Sequence, residues 1–227
     1  MATRIKFQQN LDELKGKLLV MAGMAEQSIQ RAVEAYRVRD LSVCDLVDHG
    51  ELAINRFERE IDQMALDLLA MEQPMAIDLR FILAVIKINA DLERVGDAAT
   101  SISDRVRELE AFPVAELPVD TAKMASLASG MVRKALQAFI EADATIADSV
   151  LSMDDNVDKM NETAYFTLLN VMKTEPHLAP QALTALMISR NLERVADHAT
   201  NIAEDVIFWV RGADVRHHMH ENETRPA

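Results

Sequence analysis

Leu92-Glu93-Arg94-Val95-Gly96-Asp97-Ala98-Ala99-Thr100-Ser101-Ile102 returns as Leu192-Glu193-Arg194-Val195-Ala196-Asp197-His198-Ala199-Thr200-Asn201-Ile202. The copies stand one hundred residues apart, as Glu93 and Glu193 show, so the chain is a tandem duplication. On a helix turning ~100° per residue, Leu92, Val95, Ala99 and Ile102 share one apolar stripe with Phe81, Val85 and Ile88. Glu93, Asp97, Ser101 and Asp104 then fall about 100–180° round from Leu92, on a face turned away from the core. The second copy repeats the pattern, with Ile188, Leu192, Val195, Ala199, Ile202 and Val206 inward and Glu193, Asp197, Asn201 and Glu204 outward. One segment therefore encodes both packing and a surface carboxylate pair.

Working outward, helical periodicity begins near Ile5 and runs to Tyr36, with Asp40 placed to cap a second helix over residues 41–71. Gln73-Pro74 marks a turn, because proline biases its predecessor away from helical angles. A third helix follows over residues 76–109. Pro113 and Pro118 bracket the one interior stretch that reads as a linker, with Pro118 expected in the first turn of helix four. Helix four ends near Ala142, helix five spans residues 144–173, and helix six runs over residues 180–211 with Gly212 as its C-cap. Helices of thirty residues are roughly 45 Å long, and short turns oblige them to pack antiparallel. The expected fold is all-α: six long helices in two tandem three-helix bundles, residues 1–112 and 119–212, with a linker at 113–118 and a polar tail at 213–227.

Composition agrees. The chain has 227 residues, 49% hydrophobic, but only seven Phe, two Tyr and one Trp, so its core is built from Leu, Ile, Val, Ala and thirteen Met, mostly good helix formers. With 24 Lys and Arg against 37 Asp and Glu, the net charge of -13 repels nucleic acid and anionic lipid alike. Cys44 is the only cysteine, which excludes an internal disulfide. The N-terminus lacks an apolar signal core and no run approaches the ~18 apolar residues of a membrane span, so a cytoplasmic location is expected.

Helix two carries a further oxygen-bearing stripe, Glu51, Asn55, Glu58 and Asp62, and helix five has its counterpart in Asp154, Asp158 and Asn161. If the second and third helices of each half lie side by side, both stripes line one outer groove, with oxygen atoms at i, i+4 spacing. Carboxylates so placed suit hard cations. Solvated surface acids are the competing reading, and the duplication weighs against it because crowded like charges destabilise a helix unless neutralised. A catalytic di-iron bundle would need inward Glu-x-x-His pairs, and neither copy has them. A metal-dependent oxidase or storage bundle and a purely structural scaffold stand as alternatives. His198 is expected at the surface as a hydrogen-bonding group, and His217, His218 and His220 in a disordered tail.

The two Leu-Glu-Arg-Val-(Gly/Ala)-Asp copies, the run Gln73-Pro74-Met75-Ala76-Ile77-Asp78-Leu79-Arg80 before the first, and Arg211-Gly212 after the second resemble the PhoU family over nearly the whole chain. The resemblance implies two three-helix bundles and acidic motifs that hold metal clusters in some members. Carried over, it marks Glu93 and Asp97, and Glu193 and Asp197, with Glu51, Asn55, Asp154 and Asp158 as partners on adjacent helices. The cofactor it implies is a divalent or trivalent metal, Mg, Mn, Fe or Zn. In role, it implies a non-enzymatic, homodimeric negative regulator of the phosphate-starvation response, which touches the membrane only through protein partners. Those partners are a sensor histidine kinase and the ATPase subunit of the phosphate importer. Two departures, Ser101 for Asn201 and Asn55 for Asp158, imply a weaker first site.

Overall fold

The computed structural model describes residues 2–213 and residue 215, and among them every regular element is helical. The first repeat comprises α1 (Ala2–Val38), α2 (Leu41–Glu72) and α3 (Ile77–Glu108); the second comprises α4 (Thr121–Glu141), α5 (Ala144–Leu151), α6 (Asp154–Thr174) and α7 (Ala179–Arg211). Two expectations thus hold: the protein is all-α, and its long helices fall into two three-helix sets. The histidines at 217, 218 and 220 lie outside the described residues.

The first two helices of each repeat correspond at a separation of 103 residues, as Asp40 and Asp143 show. Each aspartate caps the helix after it, accepting from the Ser42 N–H at 2.9 Å and from the Thr145 N–H at 2.7 Å. Caps of this kind stabilise by about 1 kcal/mol. The residue before each, Arg39 or Ala142, turns the chain with a positive φ of 57° or 51°. Two turns built alike, from dissimilar neighbours, are the local signature of the duplication.

Helix five is not continuous. The chain breaks at Ser152–Met153 between α5 and α6, whereas α2 runs unbroken. At a separation of 103, Met153 stands where the first repeat has Gly50, and Met131 where it has Ser28. Gly50 packs so closely that a Cβ there would lie 2.9 Å from Ser28 Oγ. Two methionines cannot pass at that spacing, and Met131 is fully buried, so the backbone steps aside. The break leaves Asp154 as the first residue of α6, where the helix dipole favours a carboxylate. Pro118 also differs from expectation: α4 starts at Thr121, and Asp120, accepting from the Lys123 N–H, is its cap. Two residues, Val119 and Asp120, separate the proline from the helix.

The repeats join along α3 and α7, which run antiparallel and make the most extensive helix–helix contact. Leu92, Val95, Ala99 and Ile102 meet Leu192, Val195, Ala199 and Ile202 in a single hydrophobic cluster that spans both repeats, all eight without solvent exposure. Each such Leu, Ile or Val contributes about 1.5–3 kcal/mol. A smaller cluster, centred on Leu168, fills the far end of the second repeat. The ends are tied crosswise. Near the start of α3, Arg80 Nε donates to the Trp209 carbonyl at 3.1 Å, and near the start of α7, Gln181 Nε2 donates to the Pro113 carbonyl at 3.2 Å. Gly212 closes α7 with φ 71°, where the Arg80 guanidinium lies against it.

Candidate functional site

Packing α2 beside α3, and α6 beside α7, brings the expected acids together in each repeat. In the first, Glu51, Glu93 and Asp97 share one neighbourhood with Glu58 and the Asn55 amide. In the second, Asp154, Asp158, Glu193 and Asp197 do the same. The outward-facing prediction needs refinement, for Glu51, Asn55, Glu93, Asp154 and Glu193 are half-buried in the helix–helix grooves, and Asp97, Asp158 and Asp197, though more exposed, stand at their rims with part of each side chain shielded.

Crowding leaves its mark on protonation. Burial, then the neighbouring Asp97, pushes the Glu51 carboxyl up to about 7 from the ordinary 4.5, against the pull of the Asn55 amide. Burial followed by Asp158 and Asp197 carries Asp154 up to about 6, and burial followed by Glu193 and Asp158 does the same for Asp197. Glu58, Glu93 and Glu193 are raised too, burial first and a neighbouring acid second. Each groove thus holds more negative charge than its solvation supports, and takes up a proton near neutral pH when nothing else balances it.

The two clusters are made to fit by exchanging bulk between helices. Gly96 faces Glu51, and a Cβ there would stand 2.9 Å from Glu51 Oε2 and 3.0 Å from Ile54 Cδ1. In the second repeat the residue at that place on α7 is Ala196, and the acid across from it is the shorter Asp154. A long acid over glycine and a short acid over alanine fill the same groove.

Among the described residues, one oxygen in each cluster is buried with no hydrogen-bond partner: Glu51 Oε2 in the first and Asp154 Oδ1 in the second. A buried carboxylate oxygen left unpaired is costly, and a hard cation is one group that offsets the cost. The donor set is therefore chemically suited to Mg²⁺, Mn²⁺ or iron. Among the described residues, however, no three carboxylate, imidazole or thiol groups already surround a common metal position, so side chains must turn before a coordination shell closes.

Between the clusters lies a polar link that the sequence reading missed. His198 is only 9% exposed, not at the surface as expected, and its Nδ1 stands 2.9 Å from Oδ1 of the buried Asp91. Asn201 Nδ2 donates to the same oxygen at 3.3 Å, and Arg94 lies 3.6 Å from it. The Asn201 amide, expected on the outward face of helix six beside the second pair, is thus directed across the seam to the first repeat. His198 acts electrostatically on Glu93 of one cluster and Asp197 of the other, favouring the ionised form of both. Farther along the seam, Lys87 Nζ meets Asp205 at 2.8 Å. The signal for this link was where the copies disagree: Asp91 against Asn191, Ala98 against His198, Ser101 against Asn201.

Fold and site together define a class, duplicated helical-bundle proteins that carry one carboxylate cluster in each repeat. The PhoU domain matches this chain twice, at residues 18–106 and 121–206. The chain belongs to the PhoU family. It is similar to the phosphate-specific transport system accessory protein PhoU homolog of Pseudomonas aeruginosa, 38% identical over 215 residues that make up 93% of this chain and 88% of that protein. The phosphate-specific transport system accessory protein PhoU of Escherichia coli K12 is 30% identical over 212 residues, 93% and 88% of the two chains. Among solved structures, the crystal structure of PhoU from Pseudomonas aeruginosa superposes with a TM-score of 0.88 at 36% identity, covering 91% of this chain and all of that one. The phosphate transport system regulatory protein PhoU from Streptococcus pneumoniae follows at 0.85 and 28% identity, with 92% and 99% covered.

Proposed function

We propose that this chain is a non-enzymatic accessory regulator of phosphate transport, which holds the phosphate-starvation response off while phosphate is plentiful. The observation that carries this reading is the double domain match, supported by relatives named as transport accessory proteins and aligned over nine-tenths of the chain. In this reading it works in the cytoplasm as a homodimer and links the ATPase subunit of the importer to a sensor histidine kinase. No helix among the described residues is long and apolar enough to cross a membrane, which agrees with docking through protein contacts. Deleting its gene tests the role: starvation-induced genes are expected to switch on in high phosphate, and a deletion strain that keeps them silent overturns it.

Metal binding is the second part of the proposal. Glu51, Glu93 and Asp97, with Asn55, would hold a cation in the first repeat, and Asp154, Asp158, Glu193 and Asp197 in the second. The unpartnered buried oxygens of Glu51 and Asp154 support this assignment. Bound metal would supply positive charge, and the chain's own residues would set how closely α2 and α6 lie against α3 and α7. In the full chain at pH 8, Mn²⁺ at a hundred times its Kd is expected to add about 2.7 kcal/mol of stability. The increment should fall when Glu193→Ala and Asp197→Ala are combined. An unfolding curve unmoved by metal would sink the assignment.

A further inference from the structure

Beside the second cluster a groove of ≈ 580 Å³ opens between α6 and α7, floored by Tyr165 and Phe166. Their rings meet edge to face at 5.3 Å, yet Phe166 remains 61% and Tyr165 48% exposed. The chain has only nine Phe and Tyr residues in all, and spending two of them on solvent is costly unless something covers them. At the corresponding places the first repeat carries Asp62 and Gln63, so helix packing does not require aromatics there. Asp62 instead accepts from Asn89 at 2.9 Å and Gln63 pairs with Asp67, both ordinary polar uses of a helix face.

The groove's charge says what kind of occupant suits it. Asp155, Asp158, Glu162 and Glu193 line it against Lys159 and Arg190; Asp158 and Glu193 also belong to the second cluster, so the groove is net acidic while that cluster holds no metal. Lys159 also borders a smaller, mostly apolar pocket of ≈ 260 Å³ that includes Met124 and Met160, a volume that accommodates one aliphatic side chain. An anionic lipid surface is repelled by such a rim, and a second copy of this chain, itself net acidic, is a poorer electrostatic match for this face than a basic segment is. We propose that Tyr165, Phe166 and the surrounding carboxylates form a docking groove for a basic, apolar segment of a partner protein. Lysine or arginine side chains meet the acids and the ring faces, and an aliphatic residue enters the apolar pocket. This deepens the accessory role proposed above, on which it rests, by naming the chemistry of the partner.

The test uses the full chain, freed of metal by a chelator, and two fluorescein-labelled amphipathic peptides, one pairing leucine with lysine and the other leucine with glutamate. Anisotropy should register binding of the lysine peptide alone. The paired change Tyr165→Ala and Phe166→Ala should weaken it at least ~10-fold, while Leu52→Ala, at a still more exposed apolar residue of the first repeat, should leave it unchanged. Circular dichroism melts confirm that these exposed changes preserve the fold. Binding that ignores the aromatic pair, that falls as much with Leu52→Ala, or that accepts the glutamate peptide overturns the groove. In cells the two readings separate. A gene deletion with a phenotype, beside a Tyr165/Phe166 double variant that behaves as wild type, overturns the groove and spares the role. A deletion with no phenotype overturns the role and leaves the groove to the peptide result.

Discussion

The two repeats solve one packing problem in opposite ways. In the first, α2 runs straight because Gly50 lets it pass close to Ser28, and a long acid, Glu51, then reaches over Gly96. In the second, Met131 and Met153 force the break between α5 and α6, and a short acid, Asp154, begins the new helix opposite Ala196. Carboxylate clusters result from both. The two repeats therefore share the placement of the oxygens rather than the residues that place them, and the acid shortens from Glu51 to Asp154 where the facing Gly96 gives way to Ala196.

The seam offers the strongest way to break this comparison, since its polar link exists on one side of the pseudo-symmetry only. Replacing His198 by Ala leaves the Asp91 carboxylate buried with only Asn201 and Arg94, and is expected to cost about 2–3 kcal/mol in urea unfolding. Asn191→Ala, at the place matching Asp91, should stay within about 0.5 kcal/mol. Equal effects would mean that the seam is symmetric in energy if not in sequence.

A smaller effect separates the clusters by pH. The Glu51 carboxyl is raised in the fold, so its contribution is fully present below about 4.5 and is lost as pH rises through about 7. In metal-free protein, Glu51→Gln should therefore raise stability by about 1–2 kcal/mol at pH 8, once solvent screening is allowed for, and change nothing at pH 4.5. Asp154→Asn should gain less, over a window from about 3.8 to about 6, because the start of α6 already favours its charge. Thermal melts across this pH range decide the order, and a larger gain for Asp154→Asn would reverse the comparison.

The smallest effect on stability tests the exchange of bulk. Gly96→Ala gains helix propensity of about 1 kcal/mol but crowds Glu51 and the fully buried Ile54, so the net change should stay within about 1 kcal/mol. Its signature is elsewhere: the Glu51 carboxylate is pushed outward, and the dependence of stability on pH between 4.5 and 7 should flatten. Persistence of that dependence would show that glycine is not what seats the glutamate.

Most of the fold was legible because helices declare themselves through period and punctuation. Leu92, Val95 and Ala99 gave the buried stripe, Asp40 and Gly212 the ends, Gln73-Pro74 the turn. The break at Ser152–Met153 was hidden, since neither residue is a helix breaker and its cause lies on another helix, at Met131. The acids were found by repetition, yet a helical wheel has no neighbouring helix, and so it overstated the exposure of Glu51 and Glu93. His198 was misplaced for the same reason. Alone on α7 it borders the outward stripe, and only the antiparallel α3 supplies Asp91 and encloses it.

The crosswise ties bear on how the protein is born. Arg80 emerges from the ribosome 129 residues ahead of the Trp209 carbonyl that it grips. At synthesis rates of about 5–20 residues per second, the first repeat waits roughly 6–26 s with the α7-facing side of α3 uncovered, while α1 and α2 already cover the rest. The last turn of α7 closes the seam, so during synthesis that one side of α3 stays open to solvent longer than any other part of the first repeat's core.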